Sequence, residues 1–239
     1  MAEGGRGLSI GYYALIMVAL VLLAFLSYGA FTYSEFQRIR ADMEVTSLAA
    51  AEEEVKAAMD QLLQEAEDQA DTFARWEEVG QQLRNPRYYA YWRNQRMMHA
   101  NVLPDFAADA EIYDTDARAL AILEGRSLPE RLATPPPPPY VDYSEAEPTL
   151  LVFRPVTDVT DRAGRNPLGY VGLRIRFLPW MRQNRAYRYA EPESIDFERG
   201  AESTLSWEQM QSMLRFRLRE NPMNEMVTGL LSGSILNLS

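Results

Sequence analysis

The sequence predicts an α+β chain: an N-terminal transmembrane helix running into a long helix, then an antiparallel sheet domain, then C-terminal helices. Three observations predict it. Leu8 to Tyr33 carries no charged residue, and Ala30 to Val79 contains neither glycine nor proline. Two segments, Thr149–Val156 and Leu168–Phe177, then flank a loop rich in Asp, Gly, Asn and Pro. These features divide the chain into an anchor over residues 8–33, a stalk helix over 34–84, a sheet domain over 85–205 and amphipathic helices over 206–239.

The anchor is read from length and composition. A helix needs about 20 apolar residues to cross the hydrocarbon core, and the stretch around Ala14 to Leu26 supplies them. Tyr12, Tyr13, Tyr28 and Tyr33 flank it as interfacial aromatics do. Its apolar core exceeds that of a cleaved signal peptide, and Ser27-Tyr28-Gly29 is a poor cleavage site, which argues for an uncleaved anchor. Arg6 before the span and Arg38 and Arg40 after it nearly balance, so local charge does not orient it.

The long helix follows from its residues. Ala, Glu, Gln, Met and Leu dominate, all strong helix formers. Val45, Leu48, Ala51, Val55, Met59, Leu62, Ala66, Ala70, Phe73 and Trp76 recur at the spacing of one helical face. Unbroken, it would reach about 75 Å. That face suits packing along the chain's own domain or a homodimeric stalk; its many alanines do not suit a stable coiled coil. The helix is expected to end between Gly80 and Asn85. Asn85-Pro86 then starts a second helix over Pro86–Ala100, with Pro104 closing the region.

Within the sheet domain, Ala110 to Tyr113 reads as a strand, Asp114-Thr-Asp116 as a turn, and the residues to Ala121 as a returning strand. Five prolines, Pro135 to Pro139, impose an extended surface crossing of about 15 Å. Thr149–Val156 and Leu168–Phe177 form a hairpin. In its second arm Val171, Leu173, Ile175 and Phe177 share one face, and Tyr170, Arg174 and Arg176 the other, the alternation of a half-buried strand.

A membrane helix, a long helix containing Phe73-Ala-Arg-Trp-Glu-Glu78, a strand-turn-strand at Ile112-Tyr-Asp114, and a hairpin from Arg154-Pro-Val156 to Pro167-Leu-Gly-Tyr-Val-Gly-Leu173 are similar to a CHASE4- or Cache-type PAS-like sensor domain. The resemblance covers Ala30 to Met181. Ala117 stands where the family's Asp-x-x-Gly turn has glycine, and Trp76-Glu77 replaces the usual Trp-Asp pairing. Such domains head bacterial receptors, including diguanylate cyclases, phosphodiesterases and histidine kinases. The resemblance implies a single-pass protein of the inner membrane, with most of the chain periplasmic and an output module outside this chain.

Near the end, Ser206-Trp-Glu-Gln209 is a capping box that opens a helix expected to run to Glu220, before Asn221-Pro222. Met223 to Leu238 carries an apolar stripe, and Gly229 and Gly233 a small-x-x-x-small spacing.

Composition narrows the chemistry. The net charge of -10 argues against nucleic acid as a partner. Glu35 to Glu78 holds 13 acidic and 4 basic residues, so this segment carries nearly all the excess, on a face expected to be solvated. There is no cysteine and one histidine, His99, which leaves poor material for a zinc site or a hydrolytic triad. The acids Asp105, Asp109, Glu111, Asp114 and Asp116 do not fit a calcium loop, because Arg118 would occupy a ligand position. No cofactor, metal or catalytic residue is expected. A ligand site is expected at Tyr89, Trp92, Arg93, Arg154, Tyr170 and Arg174, where aromatics and arginines suit a small anionic or amphiphilic molecule. Two functions compete. One is a sensor that relays ligand binding through the long helix; the other is an anchored module that recruits an envelope protein.

Overall fold

The computed structural model describes residues 10–99, 103, 106–121, 127–144, 147–158, 167–183, 187–198 and 202–219. The apolar stripe of Met223–Leu238, the Gly229/Gly233 spacing and Pro104 lie outside them. The chain divides into two compact units, Met1–Ala50 and Ala51–Ser239, and helix α1 (Ile10–Arg75) contributes to both.

In the first unit, α1 is long and apolar enough to cross a membrane. Its large apolar side chains are bare: Leu15 is 67% exposed, Leu23 63% and Phe25 72%. Phe36, Ile39, Met43, Val45 and Leu48 are exposed as well.

In the second unit, the predicted helical face is the one that packs. Ala51, Val55, Met59, Leu62, Ala66, Ala70 and Phe73 are all fully buried, in one cluster with the sheet residues Ile112, Val152, Val171 and Leu173. Alanine suits this stripe because its short side chain lets the helix approach the sheet closely. Val45 and Leu48, the first two residues of the predicted face, are not part of that core.

The long helix stops earlier than its propensity suggests. Trp76 leaves helical geometry (φ -65°, ψ 123°) and α2 (Glu77–Arg84) begins after it. Its indole packs on Phe73 and Trp92, with ring centroids 6.4 and 5.3 Å away. Glu77 and Glu78 then sit in the first turn of α2, where a helix N-terminus favours negative charge. The predicted Pro86–Ala100 helix is three pieces: turns of 3₁₀ helix at Pro86–Tyr88 and Met97–His99, and α3 (Tyr89–Gln95) between them.

The sheet contains β1 (Ala107–Tyr113), β2 (Tyr140–Asp142), β3 (Thr149–Thr157) and β4 (Pro167–Ile175). After β4 the chain forms α4 (Phe177–Gln183), β5 (Asp196–Phe197), β6 (Thr204–Ser206), α5 (Trp207–Ser212) and β7 (Leu214–Arg215). All pairings are antiparallel, in the order β1-β4-β3-β2-β6, with β5 and β7 as a separate ribbon. The predicted β3–β4 hairpin is present, pairing Val152 with Leu173 and Arg154 with Val171. The predicted return from the Asp114 turn is only a bridge from Tyr113 to Ala119. Asp114 shapes that turn as expected, its carboxylate accepting from the amides of Asp116 and Arg118, each at 2.9 Å.

Three expectations are corrected. β4 is not half-buried. Its second face carries another apolar cluster, in which Tyr113, Leu151, Phe153 and Tyr170 pack under Ala117, Leu128 and Leu132. Strand β4 ends at Ile175, and Phe177 opens α4 instead of continuing the strand. Pro179 explains this: it has no N–H for a ladder but is tolerated in a helix's first turn. Phe177 still reaches the main core. Finally, α5 has the predicted capping box, yet it ends at Ser212 rather than near Glu220. The residues after it pair with earlier chain, Leu214 with Phe197, and the Arg219 amide donates to the Tyr189 carbonyl at 2.7 Å. Tertiary pairing overrides helix propensity here.

Two positions in this architecture depend on residue size. A Cβ on Gly169 would stand 2.2 Å from the Tyr113 carbonyl oxygen and 2.6 Å from Leu83, so strand and helix meet through its missing side chain. Gly169→Ala should destabilise the chain by roughly 3 kcal/mol in urea unfolding followed by tryptophan fluorescence. Ala117, in the glycine place of the turn, has φ 59° and is buried. Ala117→Gly should be near neutral, because relief of left-handed strain and loss of a buried methyl are each worth about 1 kcal/mol. Ala117→Val should cost more than about 2 kcal/mol in the same assay.

Candidate functional site

β1 lies at one end of the sheet, so one side of its backbone has no strand partner. Helix α3 faces that side. Tyr89 and Arg93, one helical turn apart, share a face and reach the strand. The Arg93 Nε donates to the Ala110 carbonyl at 3.2 Å, and the Ile112 amide donates to the Tyr89 hydroxyl at 3.2 Å. The strand's own acids help: Asp109 accepts from the Ala110 amide at 2.9 Å and Glu111 from the Ile112 amide at 3.0 Å. The Leu120 amide completes the set by donating to the Ile112 carbonyl at 3.0 Å.

These side chains also hold one another. The Tyr89 hydroxyl donates to Glu111, and Arg93 pairs with Asp109 and, at 3.7 Å, with Glu111. Asp109 accepts from the Ser127 hydroxyl at 2.8 Å, and the Ser127 carbonyl accepts from Arg174. Arg174 pairs with Asp142 of β2 at 3.1 Å. A continuous polar chain therefore runs from α3 past β1 and across the sheet face that bears Tyr113 and Phe153. Arg93, Asp109, Glu111 and Arg174 are all buried within it. Its two guanidiniums and three carboxylates largely cancel, as burial of charge requires. Burial, and then the Glu111 charge, push the Tyr89 phenol far above its usual range.

Of the six predicted ligand-site residues, Tyr89, Arg93 and Arg174 belong to this chain. Trp92 stands beside it: its indole N–H donates to Glu78 at 2.7 Å, and its ring packs on Trp76 and Tyr89. Arg96 also binds Glu78, at 2.7 Å, and that hydrogen bond holds the carboxyl below the ordinary range. Arg154 lies elsewhere, bonded to Glu67 at 2.6 Å and Asp71 at 3.1 Å on α1. Tyr170 belongs to the second apolar cluster. The six do not line one cavity; their polar groups are largely engaged within the protein.

Asp109 and Glu111 enter the sequence reading only in the acidic run that does not fit a calcium loop, and Ser127 and Asp142 do not enter it. The signal for the first two is in the sequence: two acids alternating within an otherwise apolar strand need buried cations. Glu67 and Asp71, with Glu54 and Asp60, qualify the expectation that the acidic face of the long helix is simply solvated. Glu54 accepts from the amides of Arg188 and Tyr189, and Asp60 from Gln211 at 2.6 Å. His99 is exposed, and among the described residues no three His, Cys, Asp or Glu side chains converge to hold a metal ion. A groove of about 480 Å³ lies between the proline run and the β2–β6 edge, and no member of the polar chain lines it.

No protein-family model, curated protein or solved structure matches the chain.

Arg93→Met leaves Asp109 and Glu111 buried without their cation, and should cost about 3–5 kcal/mol by urea unfolding. Tyr89→Phe removes hydrogen bonds but no charge, and should cost about 1–2 kcal/mol. Tyr187 supplies a pH prediction. Burial, then the Glu54 charge, push its hydroxyl from 10.0 up to about 12, and it has no hydrogen-bond partner among the described residues. The neutral phenol is favoured in the fold, so its share of stability is complete below pH 10 and is lost as pH rises toward 12. Tyr187→Phe should leave stability at pH 7 nearly unchanged and flatten the alkaline loss, measured as Tm against pH.

Proposed function

We propose that this chain is a membrane-anchored sensory domain of the bacterial inner membrane, held on the periplasmic side. It binds a small molecule and relays the change through α1 to an output module. One observation carries this reading: the helix that bears the apolar anchor stretch is also the spine of the sheet's core. From Ala51 to Phe73 its packing face is fully buried, and Arg154 of β3 ties its acidic face to the hairpin. A shift of the hairpin is therefore a shift of α1, a two-state device that a ligand can bias.

An antiparallel sheet with a long N-terminal helix packed on it is in keeping with the PAS-like resemblance. Phe36, Ile39 and Met43, exposed at helical spacing, are suited to contact a second copy of α1. The competing reading, an anchored module recruiting an envelope protein, draws on the partly exposed proline run.

Because the chain has no cysteine, introduced thiols report cleanly. Glu202→Cys should react with a membrane-impermeant maleimide in intact cells, whereas a cytoplasmic domain would be protected. Met43→Cys should form disulfide-linked dimers in native membranes, and adding Arg154→Ala should change their yield. A yield indifferent to Arg154 would favour the recruiting module.

A further inference from the structure

The groove between the proline run and the β2–β6 edge is lined by Arg131, Leu132, Pro138, Tyr140 and Leu205, among others. Its volume of about 480 Å³ lies within the range of small-molecule sites. The walls are mainly apolar, and three consecutive prolines contribute to one of them. Prolines have little conformational freedom to lose, so a ligand's apolar body meets a surface already ordered.

The groove's lining includes one cation, Arg131, and a second arginine stands opposite it. Arg118 and Arg131 face each other across an antiparallel bridge. The flanking bonds, Ala119 amide to Glu130 carbonyl and Leu132 amide to Ala117 carbonyl, are each 2.9 Å. That pattern makes the two arginines a pair without mutual backbone bonds, the arrangement in which opposed side chains lie closest. They leave the bridge on the same side, both exposed, and like charges directly opposed are unfavourable. Neither forms an ion pair with a described residue, so both guanidiniums keep their donors available to a ligand. An anion between them removes the repulsion and satisfies the planar donors of a guanidinium.

We propose that this groove binds a small organic anion. Its carboxylate or phosphate is held by Arg131 with Arg118 beside it, and its aromatic or short acyl body lies against Leu132, Pro138, Tyr140 and Leu205. The site deepens the sensory reading and rests on it for its purpose, though not for its chemistry. It also places ligand recognition away from Trp92 and Arg93.

Calorimetry on the full chain in lipid nanodiscs tests this with 3-phenylpropanoate, phenyl phosphate and the neutral 3-phenylpropan-1-ol. At least one anion should bind saturably, and roughly tenfold more tightly than the alcohol. Arg131→Gln should weaken the anion by roughly tenfold or more, Arg118→Gln by less, and Trp92→Phe should leave it unchanged. Both arginines are exposed, so their variants should keep the parent Tm. Absence of saturable binding by either anion overturns the site, as does equal affinity for the alcohol or indifference to Arg131→Gln. Binding that leaves the Met43→Cys disulfide yield unaltered would keep the site and remove the relay. A yield that responds to Arg154→Ala in a chain that binds neither anion would do the reverse.

Discussion

A sheet covered on both faces has no water to spare for the backbone at its end, and that constraint organises the α3–β1 region. The free side of β1 presents amides and carbonyls that would each cost about 1–3 kcal/mol if buried unpaired. Natural sheets cover or blunt such edges. Here Tyr89 and Arg93 from α3, Asp109 and Glu111 from the strand, and the Leu120 amide supply the partners. Those side chains bring charge into a buried place, so they must compensate one another. The chain through Ser127 to Arg174 and Asp142 carries that compensation across the face that bears Tyr113 and Phe153.

The second organising element is α1. Its alanine-rich stripe provides close approach to the sheet, and its acids provide ties. Glu54, Asp60, Glu67 and Asp71 hold the segment near Arg188, the Gln211 side chain and the Arg154 side chain. The acidic surplus of this helix is thus partly a fastening surface. A helix so held is fastened to the sheet, as the proposed relay requires. It also explains why the break at Trp76 matters: the indole closes the stripe and turns the chain toward α3.

The chosen site residues show how far residue chemistry alone can reach. Aromatics and arginines in one short helix and one hairpin suited a ligand site, and Tyr89, Arg93 and Arg174 do belong to one polar chain. Yet their donors face carboxylates of the same fold, since alternation along a strand does not reveal which face a loop will cover. The segment over Leu128 and Leu132 buries Tyr170 and Arg174, and nothing local in β4 announces that cover. The groove at the proline run was equally hidden, because Tyr140 and Leu205 meet only through pairing of strands far apart in sequence.

What the sequence determined by itself were the features set by short-range physics. The uncharged apolar stretch, the buried face of α1 from Ala51 to Phe73, the Asp114 turn, the β3–β4 hairpin and the Ser206 capping box follow from residues within a few turns of each other. Only the tertiary structure decided where α1 breaks, where α5 stops, that β4 is buried on both faces, and which carboxylate meets which arginine. Each of these depends on contacts between segments distant in the chain. A helix ends where another strand's hydrogen bonds outweigh its propensity, and a charge is buried only where its counter-charge has already been placed.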